Sequence, residues 1–144
     1  MTKDEVKQLD DRGMAAWNNH DPDAFLSLLA DDFVWYDWSN DKAIRDKDEA
    51  REYFNSWMRA FPDFHAQLVS QVLGEDGVAG EYELDATNGG PIELGGKTVP
   101  ATQKKVHLHG GYMAVVRDGR IAEFRTHPDI AGMMMQLGLT PIVH

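Results

Sequence analysis

Three hydroxyl-bearing side chains, Tyr36, Tyr112 and Thr126, could place hydrogen-bonding groups inside the fold. Each lies in a segment where apolar and polar residues alternate, and this alternation predicts that all three face one interior cavity. Two phenols and a hydroxyl can orient a carbonyl group or polarise it by hydrogen bonding. The alternative is that the tyrosines only line an apolar pocket, with their hydroxyl groups bonded elsewhere.

The segment His127-Pro128-Asp129 holds the best candidates for moving a proton. Histidine titrates near neutrality, so an imidazole two residues from a carboxylate could act as a general base. Asp129 also has a complete structural explanation as the N-cap of a helix. His127 should point away from the face of Thr126 unless Pro128 turns the strand. We favour the structural role and keep His127 and Asp129 as candidate catalytic residues.

His107 and His109 are spaced to present two imidazoles on one face of a strand. Glu81, Glu83 and Asp85 lie on one face of the neighbouring predicted strand. A metal site needs three or four convergent ligands, which paired strands could supply. The simpler interpretation is a solvated face on which the histidines lie opposite acidic partners. We therefore expect neither a metal site nor a cofactor.

The elements that must position these residues predict an α+β fold in a single domain over residues 1–144. Hydrophobic periodicity indicates a first helix ending near residues 18–20, a second capped by Asp21, a third capped by Asp46 and a last one capped by Asp129. Period-two patterns predict five strands, at residues 32–38, 64–73, 78–87, 104–116 and 120–127. Residues 88–100 are rich in glycine and proline and are predicted to be irregular. A strongly curved antiparallel sheet wrapped around helices would form a cone that encloses one pocket.

Aromatic residues are concentrated in the first half of the sequence. At helical spacing such residues usually form the core, but in a cone some must line the cavity. Trp38, Tyr53 and Trp57 lie near the strand positions predicted to face the pocket. We predict that these three and Thr126 bind the substrate.

Composition restricts the classes of partner. The 144 residues contain no cysteine, which excludes disulfides and thiolate metal sites, and carry a formal charge of −10. Nucleic-acid binding requires a basic surface, and a membrane span requires ~20 apolar residues; the sequence shows neither. The first residues contain no apolar run typical of a signal peptide, so we expect a cytoplasmic protein.

Several segments resemble the nuclear transport factor two-like superfamily, in particular its SnoaL-like polyketide cyclase, or ester cyclase, branch. The segments that carry the resemblance are Trp17–Asp21, Ala30–Phe33, Phe61–Asp63, Gly95–Lys105, Val116–Ile121 and Gln136–Leu139. The resemblance implies a cone-shaped α+β barrel with a deep apolar pocket, commonly dimeric through the open face of its sheet. Its polyketide cyclases close rings by a cofactor-free intramolecular aldol reaction.

The resemblance implies that, in those cyclases, a pocket Asp on the last strand and a His on the preceding strand act as acid and base. These positions fall at Thr126 and Tyr112, and a first-strand position that is often His falls at Tyr36. Neither a threonine hydroxyl nor an ordinary phenol is a general base near pH 7. The departure places aldol-type cyclisation by this chain in doubt.

Two functions therefore remain open. The chain is either a cofactor-free cyclase, isomerase, dehydratase or hydrolase acting on an apolar carbonyl compound, or a non-catalytic domain. A non-catalytic domain would bind a small apolar ligand or assemble with a partner enzyme, and in both cases we expect a homodimer. The enzyme hypothesis requires an ionisable group inside the cavity, and it fails if His127 and Asp129 face solvent and no other carboxylate or histidine is there.

Overall fold

The computed structural model of the chain describes residues 1–94 and 96–139. Its helices are α1 (Lys3–Asn18), α2 (Pro22–Leu26), α3 (Lys47–Ala60) and α4 (Ile130–Gln136). Its strands are β1 (Leu29–Asp37), β2 (His65–Leu73), β3 (Gly77–Thr87), β4 (Ile92–Leu94), β5 (Lys97–Val99), β6 (Lys105–Arg117) and β7 (Arg120–Pro128). The predicted helices and the five long strands are all present.

Side-chain caps fix where the helices begin. Asp46 accepts hydrogen bonds from two backbone N–H groups at the start of α3, and Asp129 accepts one from Gly132 at the start of α4. Thr2 and Glu5 form a reciprocal capping box on α1. Gly138 follows α4 with a φ of 75°, a left-handed conformation that favours glycine. These local bonds explain why the helix boundaries could be predicted from sequence.

The long strands form one curved sheet in the order β1-β7-β6-β3-β2. Every neighbouring pair is antiparallel except β1 and β7, which run parallel. The predicted α+β class is confirmed, but the described strands form an open sheet rather than a closed barrel, because β1 and β2 remain its two edges. Residues from α1, α2, α3 and the sheet share one apolar core, which places the helices against one face of the sheet.

The prediction that residues 88–100 are irregular was wrong. This segment contains the hairpin β4–β5, in which Ile92 pairs with Val99. The buried side chain of Asn88 holds the segment in place, since it donates to the carbonyl groups of Ala60 and Gly90 and accepts from Thr102. Hydrogen bonds from a single side chain leave no periodic pattern, so the hairpin could not be read from hydrophobicity.

Among the described residues, no helix combines the length and apolar character needed to cross a bilayer.

Candidate active site

A cavity of about 90 Å³ lies between the helices and the sheet. It is several times larger than the ~10–15 Å³ that holds one water molecule, so it can admit part of an organic ligand. The apolar part of its wall is mostly aromatic and includes Trp17, Phe25, Trp35, Trp57, Phe64 and Phe124. The polar side chains in the wall are those of Asp10, Asp37, Tyr53, Tyr82, Tyr112 and Thr126. No Lys, Arg or His from the described residues lines this cavity.

Strand register arranges three of these polar side chains in one row across the sheet. Asp37 of β1 pairs with Thr126 of β7, which pairs with Tyr112 of β6. The row continues to Gly80 of β3 and Gln71 of β2. Adjacent strands lie roughly 4.8 Å apart, so Asp37 and Tyr112 are separated by about 10 Å of backbone. A small substrate could therefore contact both side chains.

Asp37 provides a buried carboxylate at one end of this row, where only 5% of the residue is exposed. Thr126 Oγ1 donates to Asp37 Oδ2 over 2.5 Å, and the Ser39 backbone N–H donates to Asp37 Oδ1 over 3.0 Å. The Ser39 hydroxyl also donates to Oδ1. Trp35 Nε1 can only donate, and it donates to Thr126 Oγ1 over 2.9 Å, so the threonine hydrogen is directed at Asp37.

No ion pair among the described residues involves Asp37. A buried carboxylate without a cationic partner is costly to the folded state, even when it is hydrogen-bonded. Such groups are candidates for function, because stability alone does not account for them. The other buried polar residue, Asn88, has its structural explanation in the bonds that hold residues 88–102.

A second carboxylate, Asp10 of α1, lies toward the other end of the row. Its Oδ2 accepts hydrogen bonds of 2.5 Å from both Tyr112 Oη and Gln71 Nε2. Tyr112 reaches Asp10 by passing over Gly80, where a Cβ would lie only 2.5 Å from the Tyr112 ring. The glycine is thus required for the phenol to reach α1.

Burial raises the pKa of both Asp10 and Tyr112. Desolvation raises the pKa of Asp10, against the opposing effect of the hydrogen bonds from Tyr112 and Gln71. Desolvation also raises the pKa of Tyr112 well above its ordinary value, and the hydrogen bond to Asp10 raises it further. Burial raises the pKa of Tyr82 to about 12. These two phenols therefore stay protonated at neutral pH and can donate hydrogen bonds.

Four of the predicted site residues lie in the cavity wall: Tyr112, Thr126, Tyr53 and Trp57. Tyr53 and Trp57 also line a second, adjoining cavity. The alternation in β6 and β7 gave the correct face for Tyr112 and Thr126. Their roles in binding or catalysis remain predictions.

Tyr36 and Trp38 do not line the cavity, so their predicted placement was wrong. They lie on the outer face of the sheet, where the Arg125 guanidinium sits 4.7 Å from the Tyr36 ring centroid and Trp38 is 59% exposed. Alternation in β1 separates Trp35 and Asp37 from Tyr36 correctly, but both faces carry aromatic residues. The period therefore shows which residues share a face without showing which face is inside.

His127 and Asp129 are both exposed. The His127 ring stacks on Trp38 with 5.9 Å between centroids, and Asp129 caps α4 through a 2.8 Å bond from the Gly132 N–H. The cap function explains Asp129, and the strand places His127 on the face opposite Thr126. With Asp10 and Asp37 in the cavity wall, the requirement for an ionisable group there is met by residues other than the predicted pair.

Sequence reasoning missed Asp37 and Asp10. In the resemblance, the pocket carboxylate belongs on the last strand at Thr126, but this chain carries it on β1, one strand away and bonded to Thr126. A signal for Asp37 was present: it shares its strand face with Phe33 and Trp35, two large apolar residues. No pattern distinguishes Asp10 from its exposed acidic neighbours in α1, because its partner Tyr112 is 102 residues away.

His107 and His109 lie on the outer surface of the sheet. His107 Nδ1 is 2.6 Å from Asp85 Oδ1, and His109 Nε2 is 3.2 Å from Glu83 Oε1. The hydrogen bond to Asp85 raises the pKa of His107. Ligand atoms of Glu83, His107 and His109 lie within 4.8 Å of one another, so these three residues could hold a metal ion. The observed pairing is that of the expected solvated face.

Several solved structures share this architecture. AclR from Streptomyces galilaeus, suggested to be a hydroxylase, is 26% identical, with a TM-score of 0.82 over 99% of this chain and 87% of its own. IdmH from Streptomyces antibioticus, suggested to be a polyketide cyclase, is 27% identical, with a TM-score of 0.76 over 93% of this chain and 99% of its own. A suggested SnoaL-like polyketide cyclase from Jannaschia species CCS1 is 18% identical, with a TM-score of 0.84 over 96% and 95% of the two chains.

No curated protein sequence matches the chain significantly. The sequence does match the SnoaL-like domain family over residues 11–124, most of its length. The pocketed α+β fold and the likeness to AclR and IdmH agree with that match. The chain belongs to the SnoaL-like domain family.

Proposed function

We propose that the chain is a cofactor-independent enzyme that transfers a proton at a carbon next to a carbonyl group in a small apolar compound. The observation that carries the proposal is Asp37, a buried carboxylate without a cation, held by Thr126 and Ser39 in the wall of an aromatic cavity. A carboxylate in such surroundings is a typical general base. Cyclases, isomerases and dehydratases of carbonyl compounds all begin with this step.

Asp37 would take the proton, and Tyr112 would stabilise the negative charge that develops on the carbonyl oxygen. In the structure the phenol donates to Asp10. Gln71 Nε2 also donates to Asp10 Oδ2, so this carboxylate keeps a hydrogen-bond donor when the phenol turns away from it. The phenol hydrogen is then free to bond the substrate oxygen, as a donor preorganised for the enolate.

Proton exchange at carbon tests this function without knowledge of the natural substrate. The ketone β-tetralone has acidic hydrogens next to its carbonyl group and an apolar ring that the cavity can admit. Incubated with the protein in D₂O, it should incorporate deuterium faster than buffer alone allows, as followed by proton NMR. Replacing Asp37→Asn, which preserves the shape of the side chain, should reduce the protein-dependent rate by about 10²–10⁴-fold.

The matched control is Asp129→Asn, which removes an exposed carboxylate at the start of α4 and should leave the exchange rate unchanged. Binding of β-tetralone without exchange would support the alternative, a non-catalytic protein that binds an apolar ligand. An exchange rate that does not respond to Asp37→Asn would refute the proposed role of that residue.

We also propose that the chain forms a homodimer through the outer face of its sheet. Trp38 is 59% exposed and Met113 46% exposed on this surface, and a second copy would remove both from water. Light scattering on a size-exclusion column measures the mass directly. A mass near twice 16.2 kDa is expected, and a mass near 16.2 kDa at all concentrations would contradict the dimer.

A further inference from the structure

A second cavity of about 120 Å³ adjoins the first across Tyr53 and Trp57, which line both. Its other walls come from the loop after β1, from α3, from α4 and from the β4–β5 hairpin. Ser39, Asn40 and Glu93 in its wall are exposed, so the cavity is open to solvent. It therefore lies next to the inner cavity that holds Asp37, with Tyr53 and Trp57 as the shared wall.

The polar groups of this outer cavity are mainly hydrogen-bond acceptors. The Ser39 hydroxyl hydrogen is donated to Asp37, and the Ser56 hydroxyl hydrogen is donated to the Tyr53 carbonyl group over 2.6 Å. Both serine oxygens retain lone pairs that can accept hydrogen bonds, and Tyr53 Oη lies 3.2 Å from Ser39 Oγ. Glu93 is a carboxylate, which can only accept when ionised, and its bond from Thr98 leaves further lone pairs free. Among the described lining residues, Asn40 and the indole of Trp57 offer N–H donors.

The charges of the lining residues also disfavour an anionic ligand. Glu93 lines the outer cavity and Asp10 and Asp37 line the inner one, while the described lining of both contains no Lys, Arg or His. An anionic group would meet carboxylates of like charge and mostly acceptors, whereas an ammonium or a hydroxyl group would meet the partners it needs. Trp57 and Phe61, stacked 5.8 Å apart, add an aromatic surface on which a ring or a cation can rest.

We propose that the outer cavity is a binding subsite for a hydrogen-bond-donating, non-anionic group, a protonated amine or a hydroxyl, carried by a substrate whose apolar part occupies the inner cavity. The inference rests on the proposed function, because it treats the inner cavity as the place of reaction. It narrows the substrate class to apolar carbonyl compounds with an amine or hydroxyl appendage and excludes free acids and phosphate esters.

Three ligands of one skeleton test the charge and donor preference: biphenylmethylamine, biphenylmethanol and biphenylcarboxylate. Their affinities at pH 7 can be measured by calorimetry and checked by the rise in Tm that binding produces. The amine and the alcohol should bind, and the carboxylate should bind at least about tenfold more weakly than the alcohol. Equal or tighter binding of the carboxylate, or no binding of any of the three, would overturn the proposal.

The variant Glu93→Gln tests whether Glu93 causes the preference for the amine. The variant should reduce the preference for the amine over the alcohol by about two- to fivefold, the size expected for an ion pair at an exposed carboxylate. The matched control Glu81→Gln changes an exposed carboxylate outside both cavities and should leave the preference unchanged. An unchanged preference in Glu93→Gln would show that this residue does not contact the amine and would overturn the assigned subsite.

These measurements separate the two proposals, because binding is recorded without turnover. Deuterium exchange in β-tetralone without selectivity among the biphenyl ligands would overturn the subsite alone. Selectivity without exchange would leave the subsite standing and overturn the proposed reaction.

Discussion

The two faces of strand β1 carry similar side chains in different surroundings. On the cavity face, Trp35 is 1% exposed and Asp37 5% exposed, and the two are joined through the hydroxyl of Thr126. On the outer face, Trp38 stacks between Tyr36 and His127 and is 59% exposed. Both faces place an aromatic ring beside an ionisable group. Only on the cavity face is that group removed from water and fixed by several donors.

This difference shows what makes a side chain a candidate for catalysis in this fold. Histidine is the more versatile acid–base residue at neutral pH, but His127 is exposed on the outer face, away from the cavity. Asp37 is a carboxylate that is buried in the cavity wall and held there by hydrogen bonds from Thr126 and Ser39. The position of the group in the fold therefore outweighs its residue type.

Of the substitutions that compare the two faces, removal of a phenol hydroxyl should have the largest effect. Tyr112→Phe removes the donor proposed for the substrate oxygen and should lower the β-tetralone exchange rate about 10²-fold, the usual cost of losing one such donor. Tyr36→Phe, on the outer face, should leave the rate unchanged. Equal rates in the two variants, measured by NMR, would remove the distinction between the faces.

Thr126→Val tests the connection between Trp35 and Asp37. The variant keeps the side-chain shape but leaves the buried Trp35 Nε1–H without its acceptor, at a cost of roughly 1–3 kcal/mol in the free energy of unfolding. His127→Gln, at the next position on the outer face, should change this free energy by less than about 0.5 kcal/mol. Urea denaturation provides both values, and similar losses in the two variants would contradict the account.

Gly80→Ala tests the path of Tyr112 across the sheet. The added methyl group would lie 2.5 Å from the Tyr112 ring, and overcrowding of this kind costs roughly 1–3 kcal/mol. Gly111→Ala is the matched control, since its nearest neighbour is the Gly80 carbonyl oxygen at 3.8 Å, an ordinary contact. Thermal unfolding should show a lower Tm for Gly80→Ala alone. A normal Tm for that variant would mean that Tyr112 does not lie over Gly80.

The smallest effect is a pH dependence from Asp10. Burial raises the pKa of Asp10 above the ordinary 3.8. Between pH 3.8 and this raised pKa, the folded protein keeps a proton that the unfolded chain has released. The free energy of unfolding therefore falls as the pH rises through that range. Asp10→Asn does not titrate, so at pH 7 its Tm should exceed that of the wild type by a few degrees. The difference should shrink as the pH is lowered toward 4, and a constant difference would contradict the raised pKa.

Features fixed by local bonds could be predicted from the sequence. The caps at Asp46 and Asp129 and the strand alternation around Tyr112 and Thr126 each depend on residues close in the chain. The order of the short motifs along the chain also indicated the family. These signals were enough for the fold class, the order of the helices and long strands, and the placement of four residues in the cavity wall.

The features that could not be predicted from the sequence depend on contacts between distant residues. Asp37 is identified by its bond to Thr126, 89 residues away, and Asp10 by its bond to Tyr112, 102 residues away. The β4–β5 hairpin depends on Asn88, whose role appears only once Ala60 lies beside it. No local pattern encodes such pairs, which is why the catalytic candidates were placed at His127 and Asp129.

The account depends most on Asp37 being a base, and proton removal from a nitrobenzisoxazole tests this directly. A base that removes its carbon-bound proton opens the ring and releases a coloured nitrophenolate, and no carbonyl oxygen needs a hydrogen bond. The wild-type protein should accelerate this reaction, Tyr112→Phe should retain most of the rate, and Asp37→Asn, with an undiminished Tm, should lose about 10²-fold or more. An Asp37→Asn variant as fast as the wild type would contradict the central claim.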